Sequence, residues 1–257
     1  MTISLNPEQK KAVEAIGHPQ AIIGGPGTGK LTVLVEKAAW LIEQGHAKPN
    51  EVFLVTHNIR THYLAYERLH ARLGSRVNEV VAGTMRDFAY QALEFAGLAK
   101  PIADFPTMRR LLRRAMAEVK FPGSVDEAEK ILRYFKAQAK KPKAEEAFAG
   151  LLTAYKNRLD AANLTDRYDV IREHILNMRG DKAGPIPAKF LLVNNVQDLT
   201  HIQFIWMMEH YKNGAELITA GNDDQSIMGP YGGMGGKVYD SLEEIDDIQQ
   251  YDLAQSY

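Results

Sequence analysis

Cysteine is absent from the 257 residues of this chain, which excludes disulfide bonds and cysteine-ligated zinc. No apolar run approaches the roughly 18 residues that a membrane-spanning helix requires, and the N-terminus lacks the layout of a secretory signal peptide. The eight histidines include no pair at metal-binding helical spacing with a nearby carboxylate. These absences predict a cytoplasmic globular protein with no membrane partner and no metal held by its side chains.

The net charge of −1 conceals an uneven distribution of charge along the chain. Residues 101–143 contain eleven lysines and arginines against five acids, whereas the chain from Asp240 onward contains six acids and no base. A basic block can follow a nucleic-acid backbone, which makes Arg109 and Arg113 DNA-binding candidates. These two arginines are also four residues apart on a predicted helix whose other face is apolar, so a solvated helix face explains them equally well.

Residues 24–31 read Gly-Gly-Pro-Gly-Thr-Gly-Lys-Leu and follow the pattern G-x-x-x-x-G-K of a phosphate-binding loop. In such loops backbone N–H groups surround the phosphates, and the lysine reaches the β- and γ-phosphates. An apolar run at residues 20–23 precedes the loop, and apolar residues at helical spacing follow it over residues 31–43. A strand, a glycine loop and a helix in this order place phosphates at a helix N-terminus. A glycine-rich turn of another α/β protein is the alternative.

Three positions that normally serve Mg²⁺ and hydrolysis carry unsuitable residues. The phosphate-binding loop usually ends in a serine or threonine that ligates Mg²⁺, but Leu31 occupies this position and has no ligand atom. The apolar run at residues 190–193 ends in Asn194 and Asn195, where such proteins place a metal-binding aspartate and a glutamate that activates water. Amides bind Mg²⁺ poorly and cannot act as a general base. The sequence therefore predicts no intact catalytic residue and argues against a protein-held Mg²⁺.

Strand and helix patterns alternate at both ends of the chain and not in its middle. Predicted strands lie at residues 20–23, 52–56, 79–82, 190–193 and 217–220. Predicted helices lie at residues 6–16, 30–44, 60–73, 107–119, 126–139, 144–161, 166–177 and 201–211. Since no strand pattern occurs between about residues 86 and 177, the order predicts a parallel α/β sheet interrupted by a helical insertion.

Seven segments, in order along essentially the whole chain, resemble the N-terminal half of superfamily 1 helicases of the UvrD/Rep/PcrA type. They are residues 5–9, 24–31, 55–60, 83–86, 194–198, 221–232 and 253–257. The most specific is Gly-Asn-Asp-Asp-Gln-Ser-Ile-Met-Gly-Pro-Tyr-Gly at residues 221–232, which is similar to the family's G-D-D-D-Q-S-I-Y-G-W-R-G. The resemblance implies a RecA-like nucleotide-binding domain from residues 1–85 and 186–257, with a helical insertion subdomain at residues 86–185.

The resemblance also implies that ATP or ADP is the ligand. By family position, Gln9 would read the adenine, Lys30 and Gln225 would contact phosphates, and Tyr257 would stack on the base. The full implied set of nucleotide-binding residues is Gln9, Gly25, Pro26, Gly27, Thr28, Gly29, Lys30, Gln225 and Tyr257.

Single-stranded DNA is the second ligand that the resemblance implies. The segments at residues 55–60 and 83–86 touch DNA in the family, which adds His57, Arg60 and Arg86 to the DNA-binding candidates. The family's base-stacking aromatic residues are replaced by His57, Met85 and Pro230. We therefore expect any DNA contact to depend on charge more than on stacking.

Three functions remain open at this stage. A pseudo-ATPase that binds adenine nucleotide, with nucleic acid as a further ligand, fits the substitutions best. An active ATP-dependent DNA helicase of repair or replication is the family's usual function and would need other metal ligands, such as Asp198 or Asp223. A non-catalytic protein-interaction module fits the loss of the stacking residues. In the family a second motor domain would follow Tyr257, so the resemblance implies that domain as a partner.

Overall fold

Six parallel strands form one sheet in the order β3-β2-β4-β5-β1-β6, which confirms the predicted α/β fold with a parallel sheet. The computed structural model describes residues 4–57, 59–138, 143, 148–226 and 228–257. The strands are β1 (Gln20–Gly24), β2 (Val52–Val55), β3 (Val81–Gly83), β4 (Phe190–Asn194), β5 (Glu216–Gly221) and β6 (Gln249–Leu253). Because all strands run the same way, the segments that follow β1, β4 and β5 meet at one edge of the sheet.

Ten α-helices occupy the described part of the chain. They are α1 (Pro7–Glu14), α2 (Lys30–Glu43), α3 (Ile59–Leu73), α4 (Met85–Phe95), α5 (Phe105–Glu118), α6 (Val125–Ala137), α7 (Ala149–Ala161), α8 (Val170–Arg179), α9 (His201–Lys212) and α10 (Lys237–Glu243). Residues 139 and 144–147 of two predicted helices lie outside the described residues. None of the helices in the described ranges combines the length and apolar character needed to cross a membrane.

Several helices begin just after a residue whose side chain accepts a hydrogen bond from a free N–H group of the first turn. At α1, the Asn6 side chain accepts a hydrogen bond from the Gln9 N–H at 2.8 Å, and the Gln9 side chain accepts one from the Asn6 N–H at 3.0 Å. Thr84, Ser124 and Thr200 form the same reciprocal arrangement at α4, α6 and α9. These caps determine where the four helices begin.

The apolar cores lie on the two faces of the sheet and inside the helical region. Phe53 and its register partner Leu191 belong to a core with α4, α8, α9 and α10. The next pair along the strands, Leu54 and Leu192, belongs to a second core with α2 and α3. Alternate residues of a strand point to opposite faces, so the two cores cover both faces. A third core joins α5, α6 and α7.

The helical segment between β3 and β4 is therefore not uniform in its packing. α4 and α8 share the core of β2 and β4, whereas α5, α6 and α7 have a core of their own. The division into residues 1–85 with 186–257 and residues 86–185 stays a prediction. On the packing, we propose that α4 and α8 anchor the helical segment to the sheet.

The sequence patterns did not predict three elements. α4 has buried residues at helical spacing, namely Met85, Phe88, Ala89 and Leu93. The helical pattern was therefore present in the sequence, but it begins inside the motif at residues 83–86. α10 has only seven residues, which are too few to show a recognisable helical pattern of apolar residues. β6 is an edge strand of polar sequence in which only Tyr251 and Leu253 are buried. Its place in the sheet depends on pairing with β1, which spacing along the chain does not reveal.

Candidate functional site

A cavity of about 660 Å³ lies where the segments after β1, β4 and β5 meet. Residues from the phosphate-binding loop, the start of α2, α1, α3 and the ends of β4 and β5 line it. Of the nine residues predicted to bind nucleotide, seven line this cavity, namely Gln9, Pro26, Gly27, Gly29, Lys30, Gln225 and Tyr257. Gly25 and Thr28 are not among the lining residues. They support the loop instead, since the Gly25 carbonyl accepts a hydrogen bond from Thr28 Oγ1 at 2.9 Å.

The glycines allow the loop to approach α1 closely. Gly27 and Gly29 have φ of 77° and 86°, a left-handed conformation that glycine adopts without strain. A Cβ at Gly29 would lie 2.7 Å from Gln9 Nε2, which is too close. Gln9 Nε2 donates a hydrogen bond to the Thr28 carbonyl at 3.0 Å. The loop and the residue predicted to read adenine are thus one packed unit.

Lys30 lies at the first position of α2 and contacts the loop and Gln225. Its Nζ donates hydrogen bonds to the carbonyls of Gly24 and Gly25 at 2.5 Å and 2.8 Å, and to Gln225 Oε1 at 3.1 Å. Burial lowers the pKa of Lys30 from its usual value. The ammonium group and the N-terminus of α2 both place positive charge at the cavity, which fits a phosphate group.

The last residues of the chain lie across the loop. The Tyr257 N–H donates to the Gly27 carbonyl at 3.2 Å, and Ser256 Oγ donates to the Pro26 carbonyl at 2.9 Å. The Tyr257 hydroxyl accepts from Asn6 Nδ2 at 3.1 Å. Tyr257 therefore lies at the cavity and is 70% exposed, a suitable position for stacking on a base.

Leu31, Asn194 and Asn195 line this same cavity. Asn194 is the last residue of β4 and is buried, and Asn195 follows it in the left-handed region at φ 56°, where asparagine is better tolerated than most residues. Among the described lining residues none carries a carboxylate. Nor does any group of three or more His, Asp or Glu side chains suited to a metal occur in the described part of the chain. These residues do not fit a protein-held Mg²⁺.

Two acids were considered as substitute metal ligands, and only Asp198 has a described side chain. Asp198 is buried and lines a different cavity from Lys30. The side chain of Asp223 lies outside the described structure.

A second cleft, of about 300 Å³, collects basic side chains from four parts of the chain. It brings together the predicted DNA-binding candidates His57 and Arg86 with Arg133 of α6 and with Arg167. The Arg133 guanidinium lies over the Tyr231 ring at 4.0 Å from its centroid. Sequence reasoning missed Arg167, because it lies outside the basic block and only the turn before α8 brings it to the cleft.

His57 and Asp198 form the inner wall of the second cleft. Burial lowers the pKa of His57, and the nearby Asp198 carboxylate opposes this shift. Asp198 Oδ1 is buried and has no hydrogen-bond partner among the described residues. The cleft thus holds a carboxylate oxygen without a described partner beside several cationic donors.

The other DNA-binding candidates lie away from this cleft. Arg109 contacts Asp126 at 2.7 Å and Glu129 at 3.3 Å, so acids of α6 neutralise it. Arg60 and Arg113 are exposed on α3 and α5 and line neither cavity. Met85, predicted at a stacking position, is 2% exposed and packs in the core instead.

The parallel sheet, the glycine loop and the cavity at the strand ends define a P-loop domain of the helicase type. The family model of the UvrD/REP helicase N-terminal domain matches residues 5–233, and the chain belongs to this family.

Its relatives include helicases of several bacteria. DNA helicase II of Salmonella typhimurium is 25% identical over 280 residues, which cover 99% of this chain and 38% of that protein. ATP-dependent DNA helicase Rep of Buchnera aphidicola is 24% identical over 88% of this chain and 38% of its own length. ATP-dependent DNA helicase UvrD1 of Mycobacterium tuberculosis is 25% identical over 98% of this chain and 37% of its own length. The chain therefore spans under two fifths of these relatives.

Proposed function

We propose that this domain binds adenine nucleotide in the 660 Å³ cavity and does not hydrolyse it efficiently. The observation that carries the proposal is that Leu31, Asn194 and Asn195 share this cavity with Lys30 and Gln225. The phosphate-binding groups are assembled, while the positions for the metal ligands and the base hold no carboxylate or hydroxyl. Hydrolysis at a P-loop depends on Mg²⁺ and on an oriented water, so their loss together removes the chemical step.

The two other functions are less well supported by the geometry. An active ATP-dependent DNA helicase is what the names of the relatives indicate for those proteins. Here it would require metal ligands from elsewhere, and Asp198 lines the second cleft rather than the nucleotide cavity. A protein-interaction module would have no need for Gln9, Lys30 and Gln225 to converge on one cavity.

We expect ATP to bind the wild-type chain with little dependence on Mg²⁺. The loop, Lys30 and Gln225 are placed to supply phosphate contacts, whereas no described residue that lines the cavity has a side-chain carboxylate and the usual hydroxyl position is Leu31. Calorimetric titration with Mg²⁺ and then with EDTA should give affinities within tenfold of each other, about 1.4 kcal/mol. Phosphate release in the presence of Mg²⁺ should not exceed that of a protein-free control.

Lys30→Ala is the matched variant for this experiment and should weaken ATP binding by at least about tenfold, because a charge-assisted contact is lost. Turnover that depends on Mg²⁺ would refute the loss of hydrolysis. Absence of ATP binding by the wild-type chain would favour the protein-interaction module.

The second cleft supports nucleic acid as a further ligand. Arg86, Arg133 and Arg167 converge on it from separate parts of the chain, and Tyr231 lies beneath Arg133. Three guanidinium groups around one cleft suit the phosphates of a single strand. We propose this cleft, rather than Arg109 of α5 with its two acidic partners, as the site of DNA contact.

Single-stranded DNA is expected to bind through a steeply salt-dependent, largely electrostatic interaction. Three phosphate contacts predict a slope of about −2 in a plot of log affinity against log salt. Arg167→Gln should reduce the slope by about 0.7, since one contact is removed. Arg109→Gln is the comparison variant and should leave the slope unchanged, because Asp126 and Glu129 already pair with Arg109. The opposite ranking of the two variants would place the contact on α5.

A further inference from the structure

Arg68 of α3 lines the nucleotide cavity, although it belongs to none of the phosphate-binding signatures. Its Nη1 donates a hydrogen bond to Thr32 Oγ1 at 2.6 Å. Thr32 lies in the first turn of α2, two residues after Lys30, and also lines the cavity. The contact therefore holds a guanidinium group beside the phosphate-binding loop.

The next arginine on the same helix is in a contrasting environment. Arg72 lies one turn further along α3 and forms a bidentate contact with Glu43, at 2.5 Å and 2.7 Å. It also contacts Glu36 at 3.2 Å. In the described part of the chain no carboxylate forms an ion pair with Arg68. Among the described residues Arg68 thus has a hydroxyl partner and no acid, whereas Arg72 is paired with two acids.

The cavity as a whole carries an unusual balance of charge. Its cationic side chains are Lys30 and Arg68, the N-terminus of α2 adds a partial positive charge, and its described lining has no carboxylate. A phosphate chain bound with Mg²⁺ brings part of its neutralising charge with it. A cavity with two cations and no side-chain carboxylate in its described lining suits instead a polyphosphate that arrives without a divalent ion.

We propose that Arg68 is a specificity-determining residue that binds the phosphate chain of a metal-free nucleoside polyphosphate, with Thr32 as its positioning residue. The inference rests on the proposed nucleotide binding and adds that the nucleotide is bound without a metal ion. Arginine suits this role because its guanidinium offers planar, paired donors to phosphate oxygens.

The experiment is a titration of ATP, ADP and AMP in EDTA, by calorimetry, with the wild-type chain and a set of variants. Arg68→Gln should lower the affinity for ATP at least about tenfold and that for AMP by no more than about twofold, because the lost contact is to the phosphate chain. Arg68→Lys should lie between the wild type and Arg68→Gln. Thr32→Val, which removes the hydroxyl that holds Arg68, should weaken ATP binding more than AMP binding.

Arg76→Gln is the matched control, because Arg76 is exposed just after α3 and does not line the cavity. Its affinities should equal those of the wild type. An equal loss for ATP and AMP in Arg68→Gln would show that Arg68 only supports the loop and would overturn the inference. Wild-type affinity for ATP in Arg68→Gln would overturn it as well, while nucleotide binding itself would stand. Failure of the wild-type chain to bind any nucleotide would instead refute the proposed function.

Discussion

Lys136→Met is expected to destabilise the domain by about 3–5 kcal/mol, the cost of leaving buried charges without their partner. Lys136 of α6 is 8% exposed, and its Nζ contacts Asp166 at 2.6 Å and Asp169 at 2.5 Å. Both carboxylates are buried, and the Tyr155 ring lies 5.0 Å from the same Nζ. Without the ammonium group, two acids of like charge would remain together inside the protein.

The network also explains why the loss should affect the whole domain. The Asp166 Oδ1 atom accepts hydrogen bonds from the N–H groups of Tyr168 and Asp169, at 2.9 Å and 3.0 Å, which shapes the turn before α8. That turn carries Arg167 of the second cleft, and Lys136 lines the cleft as well. Loss of the network should loosen the contact between α6 and α8.

Urea unfolding is the measurement for this prediction. Lys130→Met is the control, because Lys130 lies on the same helix and is exposed, so its effect should stay within about 0.5 kcal/mol. The triple variant Lys136→Met, Asp166→Asn, Asp169→Asn should recover part of the lost stability, because the uncompensated charges are removed. A Lys136→Met chain as stable as the Lys130→Met chain would contradict the role of the buried network.

Acidification is expected to destabilise the domain through a buried histidine pair. His210 of α9 donates from Nδ1 to the Trp206 carbonyl at 2.7 Å, and its Nε2 accepts from the Ile186 N–H at 3.2 Å. His174 of α8 accepts from Trp206 Nε1 at 2.9 Å, so its Nε2 carries the proton and donates to the Gly184 carbonyl at 3.0 Å. Each ring is therefore held in one neutral form, with an N–H donor already pointing at its free nitrogen.

The direction of the pH dependence follows from the pKa values. Burial lowers the pKa of His210 from 6.5 to about 4, and burial also lowers the pKa of His174. A folded-state pKa below the unfolded value means that the unfolded chain binds more protons. The free energy of unfolding should thus fall as pH drops from about 6.5, with a loss from His210 that approaches about 3 kcal/mol near pH 4. Above pH 6.5 this contribution vanishes.

The test compares urea unfolding between pH 7 and pH 4.5 for the wild type and His210→Gln. The variant should be less stable at pH 7 because it loses the Nδ1 donor, yet its stability should vary less with pH. His70→Gln alters an exposed histidine of α3 and should keep the wild-type pH dependence. If His210→Gln and the wild type lost the same stability on acidification, His210 would not be the group responsible.

The phosphate-binding loop and five of the six strands could be predicted from the sequence, because each depends on residues that are neighbours along the chain. The loop at residues 24–31 needs glycines at fixed spacing, and buried parallel strands such as β1, β4 and β5 are continuous apolar runs. The loss of a metal ligand at Leu31 was equally visible, since it depends on one side chain in one motif. The cap at Asn6, with Gln9 three residues later, likewise marks a helix start within four residues.

The tertiary structure decided how these residues come together and which groups surround them. Leu31 and Asn194 are far apart in the chain and meet only because β1 and β4 end at the same edge of a parallel sheet. Arg68 lines the nucleotide cavity because α3 packs against α2. Arg109 is paired with an acid because α6 packs beside α5. Spacing along a chain gives the face of a helix but not the neighbour that covers it. Burial and the pairing of charges therefore had to come from the fold.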